Sequence, residues 1–281
     1  MRCLDWGYWE IRKLYLSPII MIFLFVCGLL IGSFLNCLVY RVNEEDSLKG
    51  LLKGRSYCPK CKKQLLWFDN IPLLSFIFLK GKCRWCHSPI GVHYPLVELT
   101  TGIITLVVYQ FSTIYTNQIY NLPASPAGGQ FTIYNLLITY ALVAVFLSDL
   151  QYRTIPDQIA YPAILISLIF LIFQYPSILI SNLLSGLVAA GFFFLLVLLT
   201  RFRGMGLGDV KLAGLMGLFL GFPRVVVALY LAFLTGATLG VILILLGKKK
   251  FKSQISFGPF LVLATFITWF WGEKIMRLFG F

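Results

Sequence analysis

The sequence predicts an all-α polytopic membrane protein of about eight transmembrane helices, with a cytoplasmic zinc-ribbon-like insertion between helices 1 and 2. Three observations carry that prediction. Of 281 residues, 59% are hydrophobic and only 12% charged, where soluble domains carry about a quarter charged residues. Long apolar runs recur from one end of the chain to the other. Two Cys-x-x-Cys pairs stand in the longest polar stretch between them. Intrinsic disorder and a free soluble enzyme are both excluded by this composition.

The apolar runs read as helices over Ser17–Tyr40, Pro95–Tyr115, Phe131–Asp149, Gln158–Tyr175, Asn182–Thr200, Val210–Phe222, Val225–Leu246 and Phe257–Gly272. A helix needs about 20 residues to cross the hydrocarbon core, and seven of the runs reach or approach that. The sixth has 13 residues before Pro223-Arg224, about 20 Å of helix. It reads as a short span or a re-entrant piece. The first run is too long for a signal peptide, and no alanine precedes Ala124 to make a cleavage site, so it reads as an anchor.

Orientation follows from the basic residues. The Lys and Arg of Arg41–Tyr94, with Arg153, Arg201, Arg203, Lys211, Lys248, Lys249, Lys250 and Lys252, fall on one side of an eight-span path. Arg2, Arg12, Lys13, Arg224, Lys274 and Arg277 are left on the other. The richer side is cytoplasmic by the positive-inside bias. The chain thus divides into a first helix (1–40), a cytoplasmic module (41–94) and a seven-helix membrane domain (95–281). Asn121–Gln130 reads as an outer loop.

Cys58-Pro-Lys-Cys61 and Cys83-Arg-Trp-Cys86 make two knuckles whose four thiolates suit a tetrahedral Zn²⁺ site. Lys60, Lys62, Lys63, Lys82 and Arg84 favour the thiolate form. So small a module has little core of its own, and a structural metal would supply folding free energy. Disulfides need an oxidising compartment, which the charge pattern disfavours. Cys83-x-x-Cys86-His87 also matches haem attachment, which has no use for a second knuckle, and iron remains chemically open in place of zinc. Cys3, Cys27 and Cys37 have no partner pattern and read as incidental apolar residues.

Carboxylates at membrane depth are costly and point to function. Asp149 closes the third run, and Asp209 opens the sixth after Gly204-Met-Gly-Leu-Gly208. The topology sets both at cytoplasmic helix ends, where they can meet. Two adjacent carboxyls share one proton. The charged member can then deprotonate a water that attacks a peptide carbonyl, while the protonated member donates to it. Gly204, Gly206 and Gly208 leave backbone open to pair with an extended substrate. Asp157 reads as the N-cap of the fourth helix. Glu98 suits either the dipole of the second helix or a polar binding site.

These motifs resemble the type IV prepilin peptidases, membrane aspartic proteases of the GxGD class. Gly32-Ser-Phe-Leu-Asn36 with Tyr40-Arg41, Arg55-Ser-x-Cys58-Pro-x-Cys61, Trp67-Phe-Asp-Asn-Ile-Pro72, Gly81-Lys-Cys83-Arg-x-Cys86 and Tyr94-Pro-Leu-Val-Glu98 follow the family's order. Asp149 with Ile155-Pro-Asp157, Gly206-x-Gly-Asp209-x-Lys211, and Phe257-Gly-Pro-Phe260 continue it. The resemblance implies a catalytic pair of Asp149 and Asp209, with Gly206, Gly208, Lys211 and Glu98 as candidate substrate contacts. It implies cleavage after a glycine, at the cytoplasmic face of the inner membrane, of a basic leader on prepilins or pseudopilins. N-methylation of the new terminus by S-adenosyl-L-methionine would follow. The family often has a basic residue just before Tyr-Pro, where this chain has Val92-His93.

The basic residues of Arg41–Tyr94 outnumber Glu44, Glu45, Asp46 and Asp69, so this segment repels a basic leader. That charge is assigned to topology and anionic lipid, and leader contacts to the few acids and to backbone. A membrane-anchored zinc-ribbon reader of nucleic acid would use the charge but leave the Asp pair idle. A proton-coupled transporter would use the pair but calls for an inverted repeat the chain lacks. No nucleic-acid partner is therefore expected.

Overall fold

A computed structural model describes residues 18–44, 56–120, 126–201, 205–247 and 256–278. Nine α-helices lie in these residues: α1 Pro18–Glu44, α2 Leu74–Phe78, α3 His93–Tyr120, α4 Pro126–Tyr152, α5 Asp157–Gln174, α6 Pro176–Leu199, α7 Leu207–Leu220, α8 Arg224–Leu245 and α9 Gly258–Leu278. A 3₁₀ turn covers Trp67–Asn70. Among the described residues, extended pairing is limited to two isolated bridges in the cysteine module. Six helices, α1, α3, α4, α5, α6 and α8, are long and apolar enough to cross a membrane. The chain is an all-α polytopic membrane protein.

Several boundaries move outward from the expected ones. Pro95 is accommodated in the first turn of α3, which begins at His93. Likewise α4 begins at Pro126 and α6 at Pro176, because proline at a helix start gives up no needed N–H. The expected loop Asn121–Gln130 is therefore helical from Pro126, and its first part, 121–125, lies outside the described residues. Only Tyr175 separates α5 from α6.

The chain divides into two compact units, Met1–Tyr140 and Ala141–Phe281, with the boundary inside α4. In the first unit α1 packs along α3. Gly28 and Gly32 make the approach possible: a Cβ on Gly28 would stand 2.8 Å from Gly102 Cα, and one on Gly32 would stand 2.9 Å from Glu98 Cα. Small residues at such a spacing let helix backbones meet where lipid offers no hydrophobic drive. Thr101 and Thr105 return their hydroxyls to carbonyls one turn back, at 2.7 Å each, so burying them leaves no unpaired donor.

In the second unit α7 is the centre. It touches α5, α6, α8 and α9, and Leu212, Ala213, Leu215, Met216, Gly217, Leu218 and Leu220 are all buried. A helix apolar on every side belongs inside a bundle. Gly217 meets Gly186 of α6 so closely that a Cβ would lie 2.5 Å from Gly186 Cα. Its 14 residues end at Gly221, whose φ of 68° is the left-handed stop of a helix. Asn182 Nδ2 donates to the Leu218 carbonyl there, at 3.0 Å.

Candidate functional site

Two sites emerge, one in each unit. In the first unit the cysteine knuckles are built alike, bond for bond. Cys58 N–H donates to Lys63 O at 3.0 Å and Cys83 N–H to Ser88 O at 2.8 Å. Lys62 N–H returns to Cys58 O at 2.8 Å, and His87 N–H to Cys83 O at 3.0 Å. Lys62 and His87, each four residues after its leading cysteine, both adopt a left-handed φ, 58° and 53°. Each turn is then closed by an antiparallel bridge, Tyr57 to Gln64 and Lys82 to Pro89.

The four sulfurs of Cys58, Cys61, Cys83 and Cys86 lie within 4.8 Å of one another, and Cys58 Sγ to Cys86 Sγ is 3.9 Å. A tetrahedral S₄ site with metal–sulfur bonds near 2.3 Å has edges of about 3.8 Å. The thiols are free and too far apart to be disulfides. The donor set therefore fits a metal ion. The Ser88 hydroxyl, 3.2 Å from Cys86 Sγ, and the Ser88 backbone amide pull the Cys86 thiol down, toward the thiolate form that binds metal.

A buried carboxylate braces the second knuckle. Asp69, in the 3₁₀ turn, takes Arg84 Nη2 at 2.6 Å and Nε at 3.1 Å on Oδ1. Arg84, held more firmly protonated by Asp69, also lies 4.8 Å over the Phe68 ring. Glu98 reaches the module from 25 residues away: Leu73 N–H donates to Glu98 Oε2 at 2.8 Å, and Ser33 also hydrogen-bonds to it. Cys27 and Cys37 are half-buried in α1, and Cys3 lies outside the described residues.

In the second unit Asp149 occupies the last turn of α4 and is buried. The Ser256 hydroxyl donates to its Oδ2, and the Gly258 amide also hydrogen-bonds to the carboxylate. Gly258 must be glycine for this: a Cβ there would stand 2.4 Å from Oδ2. Asp209, third residue of α7, is partly exposed, and the charge of Asp149 acts on it directly. The two carboxylates are 60 positions apart in sequence. A Cβ on Gly208 would meet Ile155 Cβ at 2.9 Å, so the α4–α5 connection rests against the start of α7. Gly206 is exposed, and a Cβ there would be in ordinary contact with Gly208 N at 3.8 Å, while Gly204 lies outside the described residues.

Two expectations are refined by these contacts. Asp157 is not an N-cap: Pro156 holds that position with no side-chain bond, and Asp157 is the first helical residue of α5. Its carboxylate instead pairs with Lys211 Nζ, which also sits 4.9 Å over the Tyr161 ring. Lys211, two residues from Asp209, therefore spends its charge on Asp157. Ser256 was not anticipated; the one signal for it is its place immediately before Phe257-Gly-Pro-Phe260.

Comparison with known proteins agrees across most of the chain. The sequence model described as "Type IV leader peptidase family" matches residues 136–241, and "Bacterial Peptidase A24 N-terminal domain" matches residues 26–111. The chain is 35% identical to the prepilin leader peptidase/N-methyltransferase of Aeromonas salmonicida (strain A449), covering 90% of this chain and 91% of the relative. The protein of that name from Aeromonas hydrophila is 34% identical, with coverage of 90% and 91%. Its counterpart from Pseudomonas aeruginosa is 32% identical, with coverage of 90% of each. No solved structure matches.

Proposed function

This chain belongs to the type IV leader peptidase family, and we propose that it is a membrane aspartic endopeptidase that removes the leader from prepilins or pseudopilins. Cleavage falls after a glycine, at the cytoplasmic face of the inner membrane. Asp149 and Asp209 are the catalytic pair. With one proton between them, the charged carboxylate takes a proton from water as that water attacks the scissile carbonyl. The protonated one donates to the carbonyl oxygen. On collapse the proton passes to the departing amine.

The observation that carries this reading is a buried Asp149 carboxylate fixed by Ser256 and Gly258, whose charge reaches Asp209 at the start of α7. Water binds and reacts only where both carboxyls can reach it, and the partial exposure of Asp209 provides that access. Gly206 and Gly208 border the pair and offer backbone to an extended substrate. Lys211, held by Asp157, completes the rim of this substrate lane. Ser256 acts as a positioning residue, fixing which oxygen of Asp149 faces the water.

The new N-terminus is then methylated, with S-adenosyl-L-methionine as the donor of the methyl group, as the relatives' N-methyltransferase name supports. The Cys58, Cys61, Cys83 and Cys86 cluster would hold a structural Zn²⁺, which supplies folding free energy to a module with little core. Full-length protein in lipid, given a prepilin precursor, tests the peptidase reading by gel shift. Asp149→Asn and Asp209→Asn should each leave the precursor at full length. Processing by either variant at the parental rate would refute the shared-proton mechanism.

A further inference from the structure

The module between α1 and α3 exposes more apolar side chain than a domain bathed in water tolerates. Leu74, Ile77 and Phe78 occupy positions i, i+3 and i+4 of α2 and so share one face. They are 52%, 66% and 81% exposed. Trp67, on the 3₁₀ turn packed against α2, is 79% exposed. Lys80 and Lys82 follow the helix directly, and both are exposed. A clustered apolar face rimmed by cations marks an interaction surface, not a solvated one.

One hydrogen bond fixes the level at which that surface sits. Leu73, the residue that opens α2, holds a left-handed φ of 59°, a costly conformation for leucine that needs external support. Its N–H donates to Glu98 Oε2 at 2.8 Å. Glu98 is buried in α3, inside the stretch His93–Thr113 that is long and apolar enough to cross a membrane. It lies five residues beyond the start of α3, about 7–8 Å along the axis. The start of α2 is therefore level with the second turn of a spanning helix, where headgroups give way to acyl chains.

We propose that α2 and the adjoining 3₁₀ turn are an interfacial anchor seated in the lipid leaflet from which α3 begins. Leu74, Ile77 and Phe78 enter the acyl boundary, Trp67 lies at headgroup level, and Lys80 and Lys82 face anionic phosphates. The occupant is the bilayer that α1 and α3 are long and apolar enough to cross, and the Leu73–Glu98 bond ties the face to α3. Glu98 is the positioning residue that sets the depth of the anchor. The second knuckle, Cys83 to Cys86, begins five residues after α2 ends and is thereby held at the membrane surface. This inference stands whichever bond the second unit cuts.

Emission of Trp67 tests it. Full-length protein is placed in nanodiscs of phosphatidylcholine and phosphatidylglycerol, with or without bromine on the acyl chains, and intact protein is compared with Trp67→Phe. The emission lost in the variant belongs to Trp67, and bromolipid should quench that difference by about half or more. Phe78→Trp supplies a second reporter, read against intact protein, whose added emission should be quenched at least as strongly. Difference emission unchanged by bromolipid at both positions would overturn the anchor. So would emission that lipid leaves unquenched but a prepilin precursor shifts, which would assign the face to substrate. Precursor cleavage in the same discs reports the second unit separately: cleavage without quenching sinks the anchor alone, and quenching without cleavage sinks the peptidase alone.

Discussion

The two sites of this protein are assembled in opposite ways. Cys58 and Cys86 lie 28 positions apart, and the backbone bonds that turn their knuckles come from residues within a few positions of a cysteine. Asp149 and the Ser256 that holds it are 107 positions apart, and Asp209 arrives on a third element. The thiol site is local, built from turns, and would be closed by a metal. The carboxylate site has no local framework and exists only if α4, α7 and the start of α9 are correctly packed. Chemistry that must survive in a small module can be written into a short motif. Chemistry that needs two like charges side by side must be forced by a bundle, because the groups repel.

That contrast can be broken at either end. Asp209→Asn has the largest expected effect: precursor cleavage should fall by about 10³-fold or more, while metal content per chain, measured by elemental analysis, stays at the parental value. Cys58→Ser is the reciprocal case. Bound metal should drop to background and module proteolysis should rise, yet cleavage by the second unit should stay within about fivefold of parental. Equal losses of metal and cleavage in either variant would mean the two sites are not independent.

Smaller changes sharpen the comparison. Gly258→Ala pushes a methyl into the Asp149 carboxylate and should lower kcat by about 10- to 100-fold with little change in KM. Ser256→Ala removes one hydrogen bond and should lower kcat by about fivefold, with KM unaffected and Ser256→Thr restoring most of the rate. A Ser256→Ala enzyme with parental kcat would remove the positioning role of that hydroxyl.

The same contrast explains what could be read in the chain before its structure. The eight long apolar runs mark helices without ambiguity, and all eight are present. The four cysteines announce their site through spacing alone. Asp149 and Asp209 stand out in the sequence because charge is rare in such surroundings. By contrast, Ser256 carries no pattern, since one hydroxyl before a helix becomes a partner only once α9 lies beside α4. Asp157 looked like a cap because aspartate before a helix usually is one; Lys211, 54 positions away, outbid the backbone for its carboxylate. The Leu73–Glu98 bond joins a backbone N–H to a side chain 25 residues on, and no periodicity records such a pairing.

The encirclement of α7 has one more consequence. A rod gripped by α5, α6, α8 and α9, with Gly217 set directly on Gly186, cannot slide or tilt without displacing all of its neighbours. Asp209 therefore behaves as a fixed post, standing where that rod emerges.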